Sequence, residues 1–138
     1  MTIEDLKRCR RLKNEGEDLR EWIERLQSAV ESVTQRLSHT PGGGQDHDKL
    51  AQYLAKIDEL RRRLLDKQVE WESLCFDVEN TIDRLDPSKR QIMRLRYIHG
   101  LEWRDVAERA CYSEARCYVL HADALCELGI FVKDNSSQ

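Results

Sequence analysis

The sequence predicts an all-α protein: a long antiparallel helical hairpin over residues 1–85, a three-helix domain over 86–130, and a flexible tail at 131–138. Three observations lead there. Charged residues make up 36% of the 138 and aromatics 7%, with six Gly and two Pro, a composition that suits long solvated helices better than a sheet or a thick core. Apolar residues recur at alternating steps of four and three over two long stretches, which places them on one stripe of a helix. Both prolines fall where those stretches end.

The first stretch, residues 2–38, contains no proline. Leu19, Ile23, Leu26, Val30, Val33 and Leu37 form its packing seam, and Glu21 and Arg25 stand at the i,i+4 spacing that supports a helix. Ile3, Leu6 and Leu12 continue the seam less cleanly, and Asn14 and Gly16 weaken it, so a bend near Gly16 is open. "SHTPGGGQD", residues 38–46, ends the helix and reverses the chain. A phosphate-cradling loop would need Lys-Ser or Lys-Thr after the last Gly; Gln45 and Asp46 follow, so the segment reads as a turn. Asp46 or Asp48 can cap the second helix, whose seam runs Leu50, Leu54, Ile57, Leu60, Leu64, Trp71, Leu74 or Cys75, Val78, Ile82 and Leu85. Asp86-Pro87 stops it. Each helix is about 55 Å long, and helices joined by a short loop pack antiparallel. One narrow contact leaves Trp22, Trp71 and Phe76 partly uncovered, which points to self-association through the hairpin, with a monomeric spacer as the plainer alternative.

Beyond Pro87 the elements shorten. "PSKRQIMRLRYI" begins with proline in the first helical turn, presents Ile92, Met93, Leu95 and Tyr97, and ends at Gly100. "WRDVAERA" turns Val106, Ala107 and Ala110 to one face. Ser113 then caps "EARCYVLHADALCEL", with Cys117, Leu120, Ala124 and Leu128 inward. Only Cys111 and Tyr112 separate the last two helices before that cap. A short helix with a small residue at the crossing point, a tight turn and a capped helix with a free outer face is helix-turn-helix geometry, although any small three-helix bundle shares the spacing. The capped N-terminus also suits a phosphate.

Residues 85–128, "LDPSKRQIMRLRYIHGLEWRDVAERACYSEARCYVLHADALCEL", resemble region 4 of sigma-70-type factors, the part that reads the −35 promoter element. Arg90, Ile92, Met93, Leu95, Arg96 and Tyr97 carry the resemblance, followed by Asp105-Val106-Ala107, then Ser113 with Cys117, Leu120, Ala124, Leu125 and Leu128. The wider chain is similar to phage and prophage proteins that place this region behind a helical hairpin, including late-operon activators of the ArpU and RinA types. "TPGGGQDHDKLAQYLAKIDEL", "RYIHGLEW" and "LHADAL" share that likeness, and the first ~20 residues are the least specific. The resemblance implies a cytoplasmic, DNA-binding transcriptional regulator in a phage or prophage of a Gram-positive bacterium, with double-stranded promoter DNA and RNA polymerase as partners.

Under that resemblance Glu114, Ala115, Arg116, Tyr118 and Val119 occupy the groove-facing slots after Ser113. Arg116 suits guanine O6/N7 or phosphate, Tyr118 could donate to a phosphate, and Ala115 and Val119 meet only apolar groups such as a thymine methyl. The −35 sequence of sigma factors is therefore not the expected target. His121, one turn on, is expected to be exposed enough to reach the DNA backbone, or to be an ordinary helix-surface histidine. Cys111 stands where sigma factors usually have Gly, which would cost ~1 kcal/mol at positive φ or reshape the turn. The chain carries a net charge of −3, yet residues 87–116 hold Lys89, Arg90, Arg94, Arg96, Arg104, Arg109 and Arg116 against four acidic residues. That local surplus supports DNA binding, with Lys89 and Arg104 among the candidate contacts, unless the arginines are paired with acidic neighbours.

Other readings stay in view. A small-terminase-like packaging component also combines a helix-turn-helix with long helices, and a polymerase-docking protein could have lost DNA readout. No Ser or Cys has a His at a recognisable catalytic spacing, so no enzyme and no cofactor is expected. The five cysteines contain no C-x-x-C pair and read as reduced, helix-buried thiols, with a zinc site using His99 or His121 the lesser alternative. The N-terminus lacks the apolar run of a secretory signal, and no stretch approaches the ~20 residues of a membrane span, so a cytoplasmic location and no membrane partner are expected.

Overall fold

The computed structural model describes residues 1–39 and 44–132, and every regular element among them is helical. Residues 40–43 of the expected turn and 133–138 of the expected tail lie outside the described residues. The helices are α1 (Ile3–His39), α2 (Gly44–Ile82), α3 (Pro87–Met93), α4 (Trp103–Ala110) and α5 (Glu114–Leu128), with a π-helical turn, Arg94–Ile98, directly after α3. No helix is long and apolar enough to cross a membrane among the described residues.

The chain divides into two compact units, and the division differs from the expected one at residue 85. One unit comprises Glu15–Val69; the other joins Met1–Asn14 to everything from Glu70 onward. In the Glu15–Val69 unit, Leu19 and Ile23 of α1 are buried against Ile57 and Leu60 of α2, with Leu26, Val30 and Leu64 packed around them. Each such side chain contributes roughly 1.5–3 kcal/mol on burial. Lys67 Nζ lies 2.7 Å from Glu15 at one end, and Arg36 lies 3.4 Å from Asp46 at the other, so the two helices run antiparallel there. Gly16 does not break α1. A Cβ there would meet Leu64 Cδ1 at 3.7 Å, an ordinary contact, so Gly16 sits in a close but unstrained crossing. Leu54 departs from the expected seam: it is 51% exposed and lies outside the cluster that Ile57, Leu60 and Leu64 form with α1. Asp46 also lies inside the first turn of α2, which already includes Gly44.

In the other unit a continuous core takes Ile3, Leu6 and Cys9 from the start of α1, Val78 and Ile82 from the end of α2, and Met93, Tyr97, Leu125 and Leu128 from the later helices. The residues expected to continue the α1 seam only weakly are thus among the most deeply buried. Trp71 and Leu74 pack on the same core, while Phe76 stays 69% exposed. Next to it Ile92, Leu95, Val106, Ala107, Cys117 and Leu120 form a second cluster.

Local chemistry sets the boundaries of these helices. Thr2 and Asp5 cap α1 reciprocally: Thr2 Oγ1 accepts from the Asp5 N–H at 3.2 Å, and Asp5 Oδ2 accepts from the Thr2 N–H at 2.9 Å. The Thr2 N–H and the Thr2 hydroxyl, which lies 3.0 Å from the same Asp5 Oδ2, both donate to the carboxylate and hold the Asp5 carboxyl below its ordinary pKa. Asp86 accepts from the Lys89 N–H at 3.1 Å and Pro87 opens α3. The wider π turn after Met93 lets Leu95 join the second cluster while Tyr97 and Ile98 join the first. Gly100 then ends the run at φ +72°, and its carbonyl accepts from Asn14 Nδ2 at 3.3 Å.

Candidate nucleic-acid interface

The segment from α4 to α5 positions the residues that the sequence singled out. α4 ends at Cys111, which adopts the left-handed conformation (φ 59°, ψ 38°) while its N–H approaches the Ala107 and Glu108 carbonyls. The Tyr112 N–H bonds back to Ala107 O at 3.1 Å, closing the turn. The turn is therefore not reshaped around the cysteine. Cys111 carries the left-handed strain that Gly would not, and Cys111→Gly is expected to raise unfolding stability by about 1 kcal/mol in a denaturant titration.

Ser113 caps α5, its Oγ accepting from the Arg116 N–H at 3.1 Å. Cys117, Leu120, Ala124, Leu125 and Leu128 face inward, and Glu114, Ala115 and Arg116 are exposed. Tyr118 and Val119 are 48% and 51% exposed. Five of the expected contact residues thus share the outer surface of one helix beside its capped N-terminus. Among the described residues the Arg116 and Arg104 side chains form no hydrogen bond or ion pair, and both are exposed.

Two expected contacts are placed otherwise. His121 does not reach outward: its Nε2 shares a 2.7 Å hydrogen bond with the Tyr97 hydroxyl, and its ring meets Trp103 edge-on at 4.8 Å. Burial, with the nearby Arg96 charge, pushes its pKa down to about 4. Burial also raises the Tyr97 hydroxyl to about 12, so near neutrality the bond joins a protonated phenol to a neutral imidazole. Lys89 is only 16% exposed and ion-pairs with Glu127 and, at 3.3 Å, with Asp86. Its charge is already matched.

The same holds for much of the local positive surplus. Arg94 forms a two-toothed pair with Glu79 at 2.7 Å on both contacts, which lowers the Glu79 pKa and raises that of Arg94. Arg90 reaches the Asp83 carbonyl and carboxylate, and Arg96 donates to Leu101 O at 2.9 Å. The acidic partners Glu79, Asp83 and Glu127 lie outside residues 87–116, so a count within that window could not register them. Of its seven cations, Arg104, Arg109 and Arg116 are left without an ion pair among the described residues.

One feature of the interface escaped the sequence altogether. Trp103 contacts both Arg96, whose guanidinium carbon sits 4.7 Å from the ring centroid, and Tyr118, with ring centroids 5.0 Å apart and planes tilted by 50°. The tilted ring contact restrains Tyr118 on the outer face of α5 from a residue fifteen positions earlier.

The cysteines divide between core and surface. Cys9 and Cys117 are buried as expected, whereas Cys111, in the turn after α4, and Cys126 are exposed, and Cys75 is half-buried where it packs against the first core cluster. Among the described residues no group of three or more His, Cys, Asp or Glu side chains converges as a metal site would require. No family model, curated protein or solved structure matches the chain.

Proposed function

We propose that α4 and α5 form a helix-turn-helix that reads double-stranded DNA, and that the protein is a sequence-specific transcriptional regulator of phage or prophage genes of the sigma region 4-like kind. The observation that carries this reading is the capped start of α5, where Ala115, Arg116, Tyr118 and Val119 share an uncovered face immediately after a tight left-handed turn. Ser113 and the first N–H groups of α5 suit a backbone phosphate. Arg116 is the group with the donors for a guanine edge, and Tyr118 is restrained for a neighbouring contact.

Enrichment of random duplex DNA on the purified protein near physiological salt tests the proposal. A recurring motif is expected for the wild type, and Arg116→Ala should weaken binding to it roughly tenfold or more. Absence of any motif, with or without RNA polymerase, would overturn the DNA-reading role.

The extensive pairing of Lys89, Arg90, Arg94 and Arg96 favours a second reading, in which the domain docks on RNA polymerase without reading DNA. Under it Arg116→Ala leaves regulation unchanged. Exposed Trp22, Leu54, Leu65 and Val69 in the Glu15–Val69 unit support self-association through the long helices. A dimer by mass measurement suits a regulator that reads two half-sites; a ring of eight or more copies would suit a small-terminase-like packaging role instead.

A further inference from the structure

Cys9 on α1 and Cys75 on α2 face each other with their sulfurs 3.7 Å apart, both within the unit that joins Met1–Asn14 to the later helices. Each is the nearest thiol partner of the other, and neither takes part in the proposed DNA-reading face. We propose that this pair is an oxidative modification site: a low-molecular-weight disulfide converts the two thiols into a Cys9–Cys75 bridge that staples the start of α1 to α2.

Closing from 3.7 Å to a bond of about 2.05 Å needs roughly 1.7 Å of approach between the two sulfurs. Exposure sets the order of events. Cys9 is fully buried and Cys75 half-buried, so Cys75 meets the oxidant first. The Cys75 thiolate attacks one sulfur of the small disulfide, whose S–S bond breaks and releases one thiolate. Cys9 then loses its proton and attacks the Cys75 sulfur, displacing the second small thiolate. Two protein thiols are oxidised by two electrons, one small disulfide is reduced to two thiols, and those thiols take up the two protons.

Burial and the neighbouring Cys9 raise the Cys75 thiol to about 12, and burial raises Cys9 as well. Bridge formation is therefore slow near neutrality and accelerates close to tenfold per pH unit as the solution becomes more alkaline. Once formed, the bridge closes a span of 66 residues, long enough to restrict the unfolded chain strongly.

The test uses the reduced full-length chain without denaturant, incubated with glutathione disulfide at pH 8.5 and mapped by non-reducing peptide mass spectrometry. The expected product joins the Cys9 and Cys75 peptides with loss of two hydrogens, while exposed Cys111 and Cys126 carry glutathione. The bridged protein should melt roughly 10 °C higher than the same protein after reduction. In Cys9→Ala, Cys75 should retain glutathione for want of a resolving thiol; in Cys75→Ala, Cys9 should stay a free thiol. Recovery of wild-type Cys75 as a stable glutathione adduct would overturn the proposal. So would both thiols staying reduced while Cys111 and Cys126 react, or pairing of either residue with another cysteine. The wild-type map decides by itself if either variant fails to fold.

Discussion

Between about pH 6.5 and pH 5 the protein should lose stability, and His121→Gln should remove most of that loss. An unfolded histidine titrates near 6.5, whereas burial against Trp103 and Tyr97 and the charge of Arg96 bring the folded His121 down to about 4. Between those values the unfolded chain binds a proton that the folded chain refuses. Stability is therefore fully present above about 6.5 and declines as pH falls toward 4, by an amount on the order of 3 kcal/mol over the whole window. The upper part of the window isolates the histidines from the carboxyls, because the Asp5, Glu79 and Asp86 carboxyls have lowered pKa values and are lost only in more acidic solution. His99 is shifted in the same direction, chiefly by burial, so it adds to the same loss, and His99→Gln measures its share. Urea titrations at half-unit pH steps would read the slope. An unchanged slope in His121→Gln would show that the imidazole is not held neutral in the folded state.

Gly100→Ala should destabilise the protein by about 2–3 kcal/mol in the same assay. The residue has φ +72°, a conformation that costs an L side chain roughly 1–2 kcal/mol. A Cβ would also stand 2.6 Å from Asn14 Oδ1 and 3.2 Å from Lys13 Cγ. Asn14 would have to swing away, which removes its hydrogen bond to the Gly100 carbonyl and adds about 1 kcal/mol. The two contributions can be separated. In an Asn14→Ala background the clash with Asn14 is relieved and only the approach to the flexible Lys13 side chain remains, so the penalty for Gly100→Ala should shrink toward the backbone part. The site also governs presentation of α4, because Leu101 N–H bonds to Leu95 O at 3.2 Å and Arg10 reaches Glu102 at 3.0 Å on either side of the turn into that helix. A penalty no larger than that of a surface Gly→Ala substitution would mean that the turn relaxes without its Asn14 contact.

Much of the helical layout could be read from residues alone, since helix ends are decided within a few positions. Asp86-Pro87, Gly100 and Ser113 all mark boundaries in the structure, and each acts through its own dihedral or a bond three residues away. Spacing likewise separated the inward Cys117, Leu120, Ala124 and Leu128 from the outward Arg116, Tyr118 and Val119. Periodicity reports which face of a helix is apolar. It carries no information about which element covers that face.

The misplacements follow from that limit. Ile3, Leu6 and Leu12 looked like the weaker end of a seam, yet all three are buried, and Ile3 and Leu6 belong to the core that also contains Val78, Tyr97 and Leu125. His121 looked outward because it stands one turn beyond Tyr118, but Tyr97 and Trp103 supply a hydrogen bond and an aromatic wall from 24 and 18 positions earlier. The positive surplus of residues 87–116 shrank once Glu79, Asp83 and Glu127 were brought within reach. By itself the sequence determined the all-α class, the helix boundaries and the two faces of α5, all of which depend on dihedral preferences and spacing within one element. Only the tertiary structure decided which charges remain available and which histidine is sealed, because hydrogen bonds and ion pairs between distant elements depend on distances through space.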